Sequence, residues 1–106
     1  MARFPEDLAV CTGFEWDEGN ADKNWEIHQV SRAEGEECFF NRPILVAPDA
    51  LHSRTEPRLA ALGRTNGGRG LTMIFTVRGA LVRVISARDM SRRERRIYEQ
   101  ASSPKE

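Results

Sequence analysis

The residues able to do chemistry in this chain are mostly arginines. Arg58, Arg64, Arg83 and Arg88 punctuate its later half, and Arg92, Arg93, Arg95 and Arg96 follow almost at once. A guanidinium is a planar fork of five N–H donors that can hold a phosphate at two points, where a lysine acts as a point charge. It also keeps its proton at any working pH, so these residues suit phosphate positioning and charge stabilisation, not base catalysis. His28 invites an acid–base reading because imidazole titrates near neutrality. Its spacing fits equally a part-buried histidine at a helix end, bonded to a carbonyl, and spacing alone favours that structural role.

The net charge of zero hides a division. Up to Leu51 there are four basic residues against eleven acidic ones; from His52 onward there are twelve basic against five acidic, eleven of the twelve being arginine. Such asymmetry points to a cationic surface for nucleic acid on one part of the fold, or to two halves that pair with each other. The run from Arg92 to Arg96, taken in isolation, reads as a solvated helix face partnered by Glu94 and Glu99. Arginines on the preceding strands favour a binding surface instead.

At 106 residues the chain makes one domain with a modest core. Cys11 and Cys38 form no CxxC motif and do not cluster with His28 or His52, so neither a metal site nor a disulfide framework is expected, and no cofactor. Both read as thiols of a reducing compartment. No apolar run approaches a membrane span, and the first ten residues carry Glu6 and Asp7 where a signal core would be apolar, so a cytoplasmic protein is expected.

These side chains need elements to hold them. Residues 1–13 show no clear period and read as an arm or edge strand, and 102–106 as a disordered tail. Phe14-Glu15-Trp16 alternates as a strand. Asp17 or Asn20 then caps a helix to about His28, with Ala21, Trp25 and His28 on one face, which directs the indole at the sheet and leaves Lys23 and Glu26 wet. Ser31 with Glu34 is a capping box for a helix to about Phe40, with Gly35, Cys38 and Phe39 toward the core. Ile44 to Ala47 is a short apolar strand closed by Pro48, and 49–57 is a polar loop.

Three strands follow as an antiparallel meander: Arg58 to Thr65, Leu71 to Val77 and Leu81 to Arg88, reversed at Asn66-Gly67-Gly68 and at Arg78-Gly79. On the central strand Leu71, Met73, Phe75 and Val77 meet the helices, while Thr72, Thr76 and Arg78 point the other way onto a face that is open to a partner. Arg83 and Arg88 have opposite parity, so only a bulge or a strand end brings them to one side. Ser91 with Glu94 is a second capping box, opening a helix whose apolar stripe is only Met90, Ile97, Tyr98 and Ala101. The fold class is α+β, a single domain of helices packed on an antiparallel sheet with a basic C-terminal helix.

At this level of detail the chain resembles the BrnT-like ribonuclease toxins of bacterial type II toxin–antitoxin systems. The matching pieces are FEWDEGNADKNWEIH at Phe14 to His28, Val30-Ser31, Glu56-Pro57-Arg58, Gly63-Arg64, and Arg83 to Arg88 (RVISAR) followed by RRERRIYE. They run from Phe14 to about Glu99 in the family's order, within a toxin domain expected at 14–101. Gln29 stands where the family often has Gly, and Arg32 where it often has Phe. The resemblance implies a RelE-like fold, a ribonuclease that arrests translation, and neutralisation by a BrnA-like ribbon-helix-helix antitoxin in a hetero-oligomer that reaches operator DNA only through the antitoxin.

Metal-free RNA cleavage uses the neighbouring 2′-hydroxyl as nucleophile. The protein must remove its proton, stabilise charge on phosphorus and protonate the leaving 5′ oxygen. Under the resemblance Arg64, Arg83 and Arg88 serve the phosphate, the base comes from His28 or Glu56, and the acid from Lys23 or His28. Lys23, Arg58, Arg92, Arg93 and Arg96 bind the RNA backbone, and the same arginines suit the acidic groups of an antitoxin. A non-catalytic nucleic-acid-binding or co-repressor subunit, or a degenerate toxin retaining only antitoxin binding, fits the same residues. The first binds RNA and leaves it intact.

Overall fold

A computed structural model describes residues 11–49 and 57–102. Residues 1–10 of the arm expected at 1–13, most of the loop with His52 and Glu56, and 103–106 of the expected tail lie outside them. The element order is β1 (Gly13–Trp16), α1 (Glu18–His28), α2 (Arg32–Phe40), β2 (Leu45–Pro48), β3 (Leu59–Arg64), β4 (Gly70–Arg78), β5 (Leu81–Asp89) and α3 (Arg92–Ser102). The last helix includes Ser102, the first residue of the expected tail.

The five strands form one sheet in the order β1-β5-β4-β3-β2. The meander β3-β4-β5 is antiparallel, as the turn residues require, and β2 extends it in the same sense. β1 differs from the expected antiparallel sheet: it runs parallel to β5, with Glu15 level with Arg83. The chain enters at one edge, crosses one face through two helices, and starts the meander from the opposite edge. The last meander strand therefore meets β1 in the same direction.

One sheet face carries Leu71, Met73, Phe75, Val82, Val84 and Ala87 against Val30, Cys38 and Phe39, all buried, and this is the main core. α2 approaches β3 closely: a Cβ at Gly63 would lie 3.0 Å from the Cys38 carbonyl oxygen, so any larger residue there has to push the helix back by a few tenths of an ångström. The capping box at α2 is present, with Glu34 N bonded to Ser31 Oγ at 3.1 Å and Ser31 N to Glu34 Oε1 at 3.1 Å.

α1 is capped by Asp17, but its inward side differs from the expected one. Trp25 is 53% exposed, while Ala21 and Asn24 are buried. The reason lies in β5. Ile74 pairs with Ser86 and Phe75 with Val84, which leaves Ile85 as an extra residue in a β-bulge. β1 ends level with Val84, and beyond it the Asn24 Oδ1 accepts from the Ala87 amide at 3.3 Å. Position 24 is thereby fixed inward and Trp25, 100° further round the helix, faces water.

The bulge also decides the arginines. Thr76 is paired with Arg83 and Thr72 with Arg88. Thr72 and Thr76 share a face, so Arg83 and Arg88 do too, despite opposite parity in sequence. Arg64, level with Gly70, joins them. This arginine face is not fully open as expected: Thr72 and Thr76 are buried, and α3 lies across one end of it with Leu62, Met90 and Tyr98 as a second small core.

Candidate functional site

An arginine can serve a ligand only with donors that the fold has not already taken. Counting those donors separates residues that look alike in sequence. Arg69 has none left. Its Nε and Nη2 grip Asp89 at 2.8 and 3.1 Å, Nη1 reaches the Gln29 carbonyl at 2.8 Å and Glu34 at 3.2 Å, and Nη2 also donates to the His28 carbonyl at 2.9 Å. It is a structural clamp for the C-terminal end of α1, where helix carbonyls lack partners. Each partner registers the contact: Asp89 is held below the ordinary carboxylate range first by its bond to Arg69. Glu34 is lowered first by the Ser31 amide and, after the opposing effect of burial, by Arg69.

Arg88 is largely committed. Nη1 and Nη2 bond Glu94 at 2.7 and 3.0 Å, and Nη1 also meets the Asp89 carbonyl at 3.1 Å. Glu94 Oε1 accepts in addition from the Ser91 amide at 2.8 Å and the Thr72 hydroxyl at 2.9 Å. These bonds, led by that of Arg88, lower the Glu94 carboxyl to about 2. The expected Ser91–Glu94 capping box is thus also the bolt that fixes α3 to the sheet, and Tyr98 Oη, bonded to the Pro43 carbonyl at 2.7 Å, is the other.

Arg83 is different. Among the described residues it makes one hydrogen bond, from Nη1 to Glu15 Oε2 at 2.8 Å, with Asp17 Oδ2 3.7 Å from Nη2. Arg78 Nη1 stands 4.0 Å from the same Glu15 oxygen. The group sits at the end of the arginine face away from α3, on the parallel β1–β5 pair, with Glu15 and Arg83 side chains 37% and 23% exposed. Thr76, level with Arg83, donates to the Pro57 carbonyl at 2.9 Å, which brings the start of β3 and half-buried Arg58 toward this end.

Arg64 also keeps most of its donors, with one bond to the Arg42 carbonyl at 2.8 Å. It lines an open groove of about 290 Å³ with Asn41, Thr65, Asn66 and Gly68 at the other end of the sheet. Arg93 lines a second groove, about 410 Å³, between α3 and Ala60, Leu62 and Thr72. Arg92 and Arg96 are exposed on α3.

The arrangement brings Arg83 and Arg78 together and leaves the other expected groups apart. His28 is half-buried beside the Arg69–Asp89 pair, its charge among those holding Asp89 acidic. That is the opposite end of β5 from Arg83, roughly 20 Å at the ~3.3 Å rise of a strand. Lys23 is exposed on α1, a helix packed against β5 from the core side. Glu56 lies outside the described residues. Among the described residues no three His, Cys, Asp or Glu side chains gather as a metal-ligand set. The sequence reading missed Arg69 and Glu15. Arg69 leaves no local signal, and Glu15 becomes visible only once β1 is known to pair with β5.

The family described as "Ribonuclease toxin, BrnT, of type II toxin-antitoxin system" matches residues 16–94. The fold is similar to the crystal structure of the Brucella abortus ribonuclease toxin BrnT, with 28% sequence identity and a TM-score of 0.58 over 76% of this chain and 97% of that one. No curated protein gives a significant match.

Proposed function

The chain belongs to the BrnT family of ribonuclease toxins of type II toxin–antitoxin systems, and from that premise we propose that it cleaves RNA internally without a metal ion, with the scissile phosphate held at Arg83. The observation that carries the reading is the donor count. Of the arginines on this sheet face, Arg83 combines unused N–H groups, a second cation at Arg78 and a carboxylate within hydrogen-bond distance. A bidentate guanidinium–phosphate contact stabilises charge that grows on phosphorus in the transition state.

Arg64, with Arg58, Arg92, Arg93 and Arg96, extends the cationic surface along which the RNA backbone lies. Arg88 holds α3 in place, and we assign it a positioning role. His28, if it acts, acts on a nucleotide reaching the far end of β5. The neutralising partner is a BrnA-like ribbon-helix-helix antitoxin whose acidic groups cover the same arginines, in a cytoplasmic hetero-oligomer that contacts operator DNA through the antitoxin.

Expression of the chain alone is expected to arrest growth and degrade RNA, with relief by the antitoxin. Purified protein is expected to cleave RNA in the presence of EDTA, and Arg83→Ala to lose cleavage while still binding the antitoxin through the remaining arginines. Folded protein that binds RNA with a steep salt dependence but leaves it intact overturns the enzyme reading in favour of a binding subunit.

A further inference from the structure

We propose that Glu15 is the proton acceptor for the attacking 2′-hydroxyl. The inference rests on the reading of Arg83 as the phosphate site. A base for this reaction must lie within hydrogen-bond reach of the 2′-oxygen, on the sugar carbon adjacent to the one that bears the scissile phosphate. A carboxylate fixed beside the phosphate-binding guanidinium meets that requirement.

Glu15 Oε2 is 2.8 Å from Arg83 Nη1, and the parallel register of β1 and β5 sets the two residues side by side on one face. Oε1 makes no hydrogen bond among the described residues, and the side chain is 37% exposed, so substrate can reach it. Asp17 is the poorer candidate. It caps α1 by accepting from the Asn20 amide at 3.1 Å and stands 3.7 Å from Arg83. The arginines here cannot accept a proton, and His28 is at the other end of β5.

In the step, a Glu15 carboxylate oxygen takes the 2′-hydroxyl proton and the 2′-oxygen lone pair forms a bond to phosphorus. The bond from phosphorus to the 5′ oxygen breaks, and that oxygen leaves with the electron pair and takes a proton from solvent water. The products are a 2′,3′-cyclic phosphate and a 5′-hydroxyl. Glu15 then returns its proton to solvent.

The test compares the full chain with Glu15→Gln and Glu15→Asp on an RNA oligonucleotide, alongside binding of the same oligonucleotide carrying 2′-O-methyl groups. Loss of a general base costs typically ~10²–10⁴ in rate. Glu15→Gln is expected to lose about that much while binding the methylated RNA as tightly or more tightly, because the carboxylate no longer competes for Arg83. Its rate is expected to lose the acidic limb of the pH profile, and Glu15→Asp to recover part of the rate. If the parent cleaves RNA and Glu15→Gln cleaves it equally well, the assignment is overturned while the function stands. If rate and affinity fall together, Glu15 only positions Arg83, and the base role is again overturned. A parent chain that cleaves no RNA overturns both readings.

Discussion

Replacing Glu94 with Gln removes the charge at the bolt between α3 and the sheet and leaves Arg88 with no carboxylate partner among the described residues. The magnitude follows from the Glu94 carboxyl, which lies at about 2 in the fold against an ordinary 4.5. At ~1.36 kcal/mol per pH unit that difference bounds the charge-dependent contribution at about 3.4 kcal/mol. The Glu94 and Arg88 side chains are 24% and 39% exposed, so solvent screening reduces it to ~1–2 kcal/mol. Because the folded value is depressed, the contribution is full above pH 4.5 and is lost as pH falls toward 2. Thermal melts at neutral pH are expected to place Glu94→Gln below the parent by roughly 4–8 °C for each kcal/mol. The gap is expected to narrow steadily below pH 4.5. A gap that stays constant down to pH 2.5, or no gap at neutral pH, refutes the reasoning. Arg88→Ala tests it from the other side: in a double-mutant cycle the two changes are expected to be strongly non-additive.

Gln29 caps α1 in a left-handed conformation with φ 55°, a backbone geometry that favours glycine. Gln29→Gly is expected to stabilise the fold by about 0.5–1 kcal/mol, less the exposed bond from Gln29 Nε2 to the Trp25 carbonyl; a lower melting temperature would falsify the strain argument. Arg69→Ala removes five hydrogen bonds and the principal counter-charge of Asp89 and Glu34, whose side chains are 58% and 30% exposed, so denaturant titration is expected to show a loss of ~1–3 kcal/mol. Arg69→Lys is expected to recover little of it, since an ammonium cannot reproduce the fork; near-complete recovery contradicts the clamp. The Cys38 thiol is pushed up to about 12, chiefly by burial and then by the Glu37 and Glu34 carboxylates. A thiol reagent at neutral pH is therefore expected to modify it only after unfolding, and rapid labelling in the native protein counts against that environment.

How far each feature was legible in the sequence depended on the distance over which it is encoded. The two capping boxes, the two hairpin turns and the strand identities were readable because each is set by residues three or four apart, or by alternation within one strand. The family was readable from motifs in order along the chain, without knowing where any of them lay. Trp25 misled because helical spacing marks Ala21, Asn24 and Trp25 as near neighbours on one side, and the choice between the last two was made by an amide on β5.

The sequence by itself thus determined the elements, the caps that start them, the α+β class, and a later half rich in arginine. Tertiary structure decided which arginines retain donors for a ligand. Arg83 meets Glu15 across 68 residues of chain, and Arg69 meets Glu34, His28 and Gln29 across 35 to 41. Such pairs exist only after the sheet has set its order and register. The single extra residue at Ile85 turned Arg83 and Arg88 to the same face. It did so because side chains alternate with every residue of a strand, so that one inserted position reverses all that follow.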